Sequence, residues 1–173
     1  MSLLLLAVIT PISRLYAPLP EDRRKPRKKL HLKRGGPQIL GEKSRETFRS
    51  LLNYGHAGLW ITTSQPEVVR KKHKLFLTPI LWLTSERDDE LSIAPTKLER
   101  VLKVCQHFLS NARDPAIFLE YPETIISANG LRKTLEFFKK LGGLCKKEDA
   151  IFIIRGAGLG KREIQEIKKA ISG

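Results

Sequence analysis

The sequence has few of the residue types that build disulfide frameworks, metal centres or base-stacking platforms. Its 173 residues include only two cysteines, Cys105 and Cys145, whose spacing fits neither a disulfide scaffold nor a zinc motif. The four histidines are scattered, with no cysteine or carboxylate at a metal-ligand spacing. Both tryptophans, Trp60 and Trp82, fall in predicted strands, which favours a place in the core over base stacking. We therefore expect reduced thiols in a cytoplasmic compartment, no metal and no cofactor.

A long apolar run is also missing. Residues 3–9 are apolar, but a membrane-spanning helix needs about 20 such residues. No basic residue precedes this run, which argues against a secretory signal. Three interpretations stay open: a segment that enters the membrane interface, the truncated end of a longer spanning helix, or a strand or helix docked on the domain.

Acidic residues are scarce beside basic ones, so the formal net charge is +14. Such a charge attracts polyanions, meaning nucleic acid or an anionic membrane surface. Residues 1–41 hold nine Lys and Arg against two acidic residues, together with prolines that oppose compact structure. We interpret residues 1–34 as an apolar-tipped basic arm, or a solvated linker, and residues 35–173 as the domain. The predicted polyanion-binding residues of the arm are Arg23, Arg24, Lys25, Arg27, Lys28, Lys29, Lys33 and Arg34.

The hydrophobic pattern predicts short buried strands that alternate with amphipathic helices. The predicted strands cover residues 38–40, 58–62, 78–83, 116–120 and 150–154. This alternation is typical of a single three-layer α/β domain, with a mainly parallel sheet of about five strands flanked by helices. The face of the helix that contains Cys105 is apolar, so we predict that this thiol lies in the core.

Local signals predict where several helices begin and end. Ser44 has the side chain of a helix cap, and Ser64 with Glu67 has the spacing of a capping box. The pair Gly142-Gly143 is predicted to end the helix that begins near Leu131.

Polar residues follow several predicted strands, where parallel sheets bind ligands. The candidates for ligand binding are Thr63, Ser64, Glu120, Glu123 and Arg155. A structural alternative is that Ser64 only caps a helix and that Glu120 and Arg155 form an ion pair.

No catalytic residue can be assigned. The sequence contains no Ser-His-Asp or Cys-His arrangement, and enzymatic activity is unsupported. The glycines at 156, 158 and 160 precede Lys161, but their spacing fits neither a P-loop nor a dinucleotide motif. We interpret this stretch as a plain loop before a C-terminal helix.

The chain resembles the archaeal domain-of-unknown-function family numbered 835 over roughly residues 30–170. The segments that carry the resemblance are residues 58–62, 65–67, 78–84 (Thr-Pro-Ile-Leu-Trp-Leu-Thr), 95–99 and 119–129. The resemblance implies an α/β fold, an archaeal source and no known reaction, and the layout is similar to a RecA-type sheet without its nucleotide loop. Family members tend to carry Arg before the Pro-Glu helix, where this chain has Ser64-Gln65, and Asp where it has Glu120. A site at those positions is expected to be altered or lost here.

The scarcity of Met and Asn beside abundant Lys, Arg and Glu suggests a heat-loving source.

Our leading hypothesis from the sequence is a non-catalytic regulatory or scaffolding module, held by its basic arm at the inner face of the cell membrane. Two alternatives stay open: a nucleic-acid-binding protein that uses the positive charge, and a degenerate RecA-like domain that binds a nucleotide or another anion at the strand ends. A protein partner is not identifiable from the sequence.

Overall fold

The fold is a parallel sheet with helices on both faces. The computed structural model describes residue 30 and residues 32–172, in which six strands form one sheet of order β1-β6-β5-β2-β3-β4. Every neighbouring pair is parallel. The strands are β1 Gly36–Leu40, β2 Ala57–Thr62, β3 Ile80–Leu83, β4 Ser92–Ile93, β5 Pro115–Leu119 and β6 Ile151–Arg155. The predicted α/β class and its mainly parallel sheet are confirmed.

Six helices lie between or after the strands in the same described residues. They are α1 Ser44–Asn53, α2 Pro66–His73, α3 Leu98–Asn111, α4 Pro122–Asn129, α5 Leu131–Lys147 and α6 Lys161–Ser172. The short elements β4 and α4 were not predicted: β4 has two residues, and a single residue, Gly130, separates α4 from α5. Among the described residues, no helix combines the length and the apolar character that a membrane crossing requires.

Two hydrophobic layers cover the sheet. On one face α1 and α2 pack on residues such as Trp60 and Ile153, and on the other face α3, α5 and α6 pack on residues such as Phe152 and Ile154. Gly58 allows α1 to approach β2, because a Cβ atom there would lie 2.3 Å from the side chain of Leu52. Side chains alternate along a strand, so Arg155, two residues after Ile153, extends from the α1–α2 face.

The core location of Cys105 is confirmed, since its side chain is fully buried. Burial raises the pKa of both free thiols, that of Cys145 to about 12. Thiols with such a pKa are almost entirely protonated near neutral pH and react poorly.

The predicted helix boundaries need correction at three places. Ser44 is the first residue of α1 and not its cap; Lys43 precedes the helix, and no side chain caps it. Gln65 precedes α2 and Pro66 begins it, so the capping box is absent. Proline fits a first helical position because it needs no hydrogen-bond acceptor there.

The third correction concerns the end of α5. This helix continues through Gly142-Gly143 to Lys147, because its buried face extends from Leu141 to Cys145. Gly142 is also needed for packing: a Cβ atom there would lie 3.0 Å from the ring of Pro37.

The parallel topology gives the sheet two unlike edges. At the carboxyl edge each strand ends and the chain turns toward the next helix or strand; at the amino edge the chain returns and each strand begins. From β2 the chain continues outward to β3 and β4, and then returns to β5 and β6 on the other side of β2. The strand order therefore reverses between β2 and β5, and ligands of open α/β sheets bind beside such a point.

Candidate functional sites at the two edges of the sheet

A buried carboxylate lies at the carboxyl edge where the strand order reverses. Glu120 follows β5 directly and is only 3% exposed. Its Oε1 accepts a hydrogen bond from Nε of Arg45 at 2.6 Å, and its Oε2 accepts from Nε1 of Trp60 at 2.9 Å and from Oγ1 of Thr62 at 2.6 Å. These donors belong to α1 and β2, so Glu120 joins both elements to the end of β5.

The charge of Glu120 is compensated inside the domain. Burial acts to lower the pKa of the Arg45 guanidinium, but the hydrogen bond and charge of Glu120 outweigh burial, and the pKa is raised. Arg45 also donates to the hydroxyl of Tyr121 at 3.4 Å. The ion pair between Glu120 and Arg155 that the sequence offered as a structural alternative is therefore wrong, because Glu120 pairs with Arg45 and Arg155 lies near Glu42. With both oxygens engaged, this carboxylate stabilises the fold and is poorly placed to accept a substrate proton.

Two predicted site residues act here through their backbone atoms. The amide of Ser64 donates to Oγ1 of Thr62 at 3.1 Å, and the carbonyl of Thr63 accepts from Nε1 of Trp82 at 3.1 Å. Ser64 is thereby linked to Glu120 through Thr62.

Of the remaining candidates, Glu123 lies in the first turn of α4, and Arg155 is the last residue of β6. The Arg155 guanidinium carbon is 5.8 Å from the centre of the Tyr121 ring, and Nη2 is 3.9 Å from Oε2 of Glu42. The Glu123 carboxylate lies against Gly158, where a Cβ atom would be 2.5 Å from Oε1. Three buried polar atoms have no hydrogen-bond partner within the described part of the chain: Ser44 Oγ, Glu123 Oε2 and Arg155 Nε. Their residues follow or end the strands β1, β5 and β6, and we call this part of the carboxyl edge the β1–β6 corner.

A cavity of about 340 Å³ opens near this corner, on the α6 side of β1. Its walls include Ile39, Ile164 and Lys168, and Glu42 contributes to its rim. Arg155 extends from the opposite face of the sheet, so the cavity and the guanidinium do not form one pocket.

Three features of this site were not predicted from the sequence. They are the ion pair of Arg45 with Glu120, the unpaired hydroxyl of Ser44, and the hydrogen bond that the Trp60 indole donates. One signal was available for Arg45: it lies in the first turn of a helix that begins at the carboxyl edge, where a side chain can reach the neighbouring strand ends. Trp60 was correctly placed in the core, but its polar atom was not considered.

The amino edge carries a surface of a different kind. Among the described residues, Phe76 is 82% exposed, Leu77 62% and Val68 54%, and three exposed lysines accompany them. We call the part of this set at the amino edge the apolar–basic surface; it consists of Lys71, Lys72, Lys74, Phe76 and Leu77, whereas Val68 lies in the first turn of α2.

The exposed tip between α2 and β3 is held in a defined conformation. Nη1 of Arg70 donates to the carbonyls of Leu75 at 3.1 Å and Thr78 at 3.0 Å, on either side of Phe76 and Leu77. Leu75 is buried, and Lys74 ends α2 in the left-handed conformation with φ of 55°. The exposure of Phe76 and Leu77 therefore follows from an anchored loop.

Of the predicted arm residues, only Lys33 and Arg34 are described. Arg34 pairs with Asp149 at 3.2 Å and with Asp114 at 3.4 Å, so it belongs to the domain surface. The backbone of Lys33 exchanges hydrogen bonds with the side chain of Gln38. The other arm residues, and the apolar segment at residues 3–9, lie outside the described residues.

Comparison with known proteins shows the family. No curated protein matches the chain. The crystal structure of the flagellar accessory protein FlaH from Methanocaldococcus jannaschii is similar to it, with 14% sequence identity and a TM-score of 0.47, over 81% of this chain and 70% of that chain. The model of DUF835, described as a protein of unknown function, matches residues 40–170. The resemblance drawn from the sequence is thereby confirmed, and the chain belongs to the DUF835 family.

Proposed function

We propose that the protein is a non-catalytic regulatory or scaffolding module that docks on an anionic membrane surface through the amino edge of its domain. The observation that carries this proposal is the anchored tip of the apolar–basic surface, where Phe76 and Leu77 extend into solvent. Scattered apolar residues are normal on protein surfaces, but two adjacent ones on an anchored loop beside three lysines fit an interfacial site.

The composition of this surface matches an anionic bilayer better than a second copy of the chain. Full burial of a Phe or Leu side chain contributes about 1.5–3 kcal/mol. Each lysine near an anionic leaflet adds about 1 kcal/mol. Two copies that met through this surface would bring Lys71, Lys72 and Lys74 of both chains together, in a protein that already carries a net charge of +14.

The basic arm joins the domain at the same edge. Gly35, just before β1, donates its amide to the carbonyl of Ala150, just before β6. β1 and β3 are four positions apart in the sheet, which corresponds to about 19 Å along the amino edge. Six basic residues between positions 23 and 29 precede this point in the sequence. The arm is therefore attached to the domain at the edge that carries the apolar–basic surface, and we propose that both contact the same membrane.

The carboxyl edge supports the non-catalytic part of the proposal. Glu120 follows β5, beside the point where the strand order reverses, and it accepts hydrogen bonds from Arg45, Trp60 and Thr62. Freeing this carboxylate for acid–base chemistry would leave a half-buried arginine and a buried indole without their partner.

Co-sedimentation with vesicles tests the proposal. The nuclease-treated full chain is mixed with vesicles of phosphatidylglycerol and phosphatidylcholine, or of phosphatidylcholine alone. We expect binding to the anionic vesicles, and a loss of at least about tenfold in affinity for the variant Phe76→Ser/Leu77→Ser. The exchanged variant Phe76→Leu/Leu77→Phe keeps the apolar area and should bind like the natural chain.

The arm is tested separately in the full chain by replacing Arg23, Arg24, Arg27, Lys28 and Lys29 with Gln. Binding that survives both this change and the serine variant would refute docking through the amino edge. Binding to DNA or RNA that falls steeply with salt, without vesicle binding, would assign the charge to nucleic acid instead.

A further inference from the structure

Arg155, at the carboxyl edge, is buried without a full set of partners. Its side chain is only 14% exposed, yet its one ion-pair contact in the described part of the chain is Nη2 to Oε2 of Glu42 at 3.9 Å. Nε is buried and makes no hydrogen bond there. Buried charged donors are ordinarily paired, because leaving one unpaired forfeits hydration without compensation.

The loop between β1 and α1 begins beside Arg155 and ends at a second buried polar group. Leu40 pairs with Arg155 in the sheet register, and the amide of Gly156 donates to the carbonyl of Leu40 at 2.7 Å. Four residues after Leu40, Ser44 begins α1, and its fully buried hydroxyl has no partner among the described residues. No side chain caps α1, so amides of its first turn also lack a side-chain acceptor.

We infer that the β1–β6 corner binds a small oxyanion, the carboxylate or phosphate group of a small molecule, through Arg155 and Ser44. Nε and Nη2 form one edge of the guanidinium, and such an edge fits two oxygens of an oxyanion in a bidentate pair. Glu42 reaches this edge only at Nη2 and from 3.9 Å. The Ser44 hydroxyl supplies a third donor, and the N-terminus of α1 adds its favourable dipole.

The acidic groups around the corner decide how strongly an anion is held. Glu120 is compensated by Arg45 at 2.6 Å. Glu123 lies against Gly158, and its buried Oε2 has no hydrogen-bond partner among the described residues, so its charge opposes an anion. Glu42 competes directly for Arg155, but its side chain is 80% exposed and can turn into solvent when a ligand arrives. Glu42 is therefore the residue whose removal should strengthen binding.

This inference concerns the edge opposite the apolar–basic surface and is independent of membrane docking. The test is the melting temperature of the full chain in increasing inorganic phosphate, or in increasing acetate, with sodium chloride keeping the ionic strength constant. A ligand that binds only the folded state raises the melting temperature in a saturable way. If phosphate raises the melting temperature at a lower concentration than acetate, the site prefers a phosphate group; the reverse order indicates a carboxylate.

Three variants locate the effect. Arg155→Lys keeps the charge but lacks the two-donor edge, so the rise should be reduced at least fivefold at equal phosphate. Glu42→Gln should bind several-fold more tightly than the natural chain. Ser44→Ala should melt higher without ligand, because it removes an unpaired hydroxyl, and should gain less from phosphate. Arg132→Lys on α5, where the arginine is exposed, is the matched control and should respond like the natural chain.

Two results would overturn the site. One is an equal rise in Arg155→Lys and in the natural chain, which would mean that phosphate acts elsewhere. The other is no rise in either the natural chain or Glu42→Gln, the variant with the competitor removed. Glu42 is exposed, so its substitution is not expected to prevent folding, and the second result can be read even if Arg155→Lys is unstable.

Discussion

The two edges of the sheet use polar and apolar residues in opposite ways. At the carboxyl edge charged and hydroxyl groups are buried, as in the cluster around Glu120, whereas at the amino edge Phe76 and Leu77 are exposed beside lysines. The helices show the same polarity. Acidic residues lie in the first turns of five helices and basic residues in the last turns of three, as the helix dipole favours.

This difference shows that the parallel topology gives the domain two edges with different properties. Every strand points the same way, so the starts of most helices collect at one edge and their ends at the other. Polar groups at the carboxyl edge can be held by neighbouring strand ends, whereas side chains at the amino edge lie on return loops. Substitutions at the two edges should therefore change different properties: stability at the carboxyl edge, and association at the amino edge.

The largest effect is expected from Glu120→Ala. This change leaves Arg45 without its ion-pair partner and Trp60 Nε1 and Thr62 Oγ1 without their acceptor. Removing one partner of a buried ion pair costs about 3–5 kcal/mol. Because the Arg45 side chain is 27% exposed and can be partly hydrated, we expect a loss near the lower end of this range in the free energy of unfolding. Denaturation by urea measures it. Glu90→Ala, in the exposed loop before β4, should change stability little; equal losses in the two variants would show that the cluster does not hold the carboxyl edge together.

Most of the fold could be predicted because it depends on local hydrophobic pattern. Five of the strands are apolar runs between turn signals, and their alternation with helices implies the parallel sheet. β4 escaped prediction because two residues, Ser92 and Ile93, carry no pattern; their pairing with Trp82 and Leu83 is tertiary. The predicted helix caps at Ser44 and Ser64 were wrong. Both residues have side chains that commonly cap helices, but α1 begins at Ser44 itself and α2 begins two residues after Ser64.

The candidate site was predictable only in part. The rule that strand ends carry ligands correctly placed Glu120 and Arg155 at the carboxyl edge. Their partners were not predictable, because Arg45 lies 75 positions before Glu120 in the chain and reaches it only after α1 has packed on the sheet. The apolar–basic surface was missed for a related reason: Phe76 and Leu77 sit beside an apolar strand, and the Arg70 contacts that hold them outside it depend on the folded loop.

The second effect concerns charge at the amino edge. Lys71→Glu/Lys72→Glu should weaken binding to anionic vesicles by about 2 kcal/mol or more, since each lysine adds about 1 kcal/mol near an anionic leaflet. Lys161→Glu/Arg162→Glu makes the same change in net charge at the carboxyl edge and should weaken binding less. Vesicle titrations at two salt concentrations measure both. If both variants lose affinity equally, net charge alone governs binding and the comparison between the edges fails for association.

A smaller effect is expected from Arg70→Met, which keeps the aliphatic stem and removes the donors to Leu75 and Thr78. A lost hydrogen bond of this kind costs about 1 kcal/mol in stability. Vesicle affinity should fall as well, because Phe76 and Leu77 would no longer be held in one conformation before docking. Arg132→Met on α5 is the control for replacing an arginine. Unchanged vesicle affinity in Arg70→Met would show that the loop docks equally well without its anchor.

The smallest effect is expected for the contact between His73 and Trp60, which connects the two edges of the sheet. The His73 ring, in the last turn of α2, packs against the Trp60 ring with centres 4.9 Å apart and planes tilted by 32°, and Trp60 donates to Glu120. Burial lowers the pKa of His73; Glu120 opposes this shift, and Arg45, Lys72 and Arg49 add to it. The fold therefore favours the neutral ring. This stabilisation is fully present above the unfolded pKa of about 6.5 and is lost as pH falls through the folded pKa.

Melting temperatures at pH 7.5 and 5.5 measure this loss. His73→Phe keeps a ring on Trp60 but cannot be protonated, so the decrease in melting temperature between the two pH values should be smaller in this variant. His107→Phe, on the exposed side of α3, is the control and should retain the full decrease. An identical decrease in His73→Phe and the natural chain would mean that protonation of His73 does not act on the Trp60–Glu120 contact, and that the two edges are not coupled through α2.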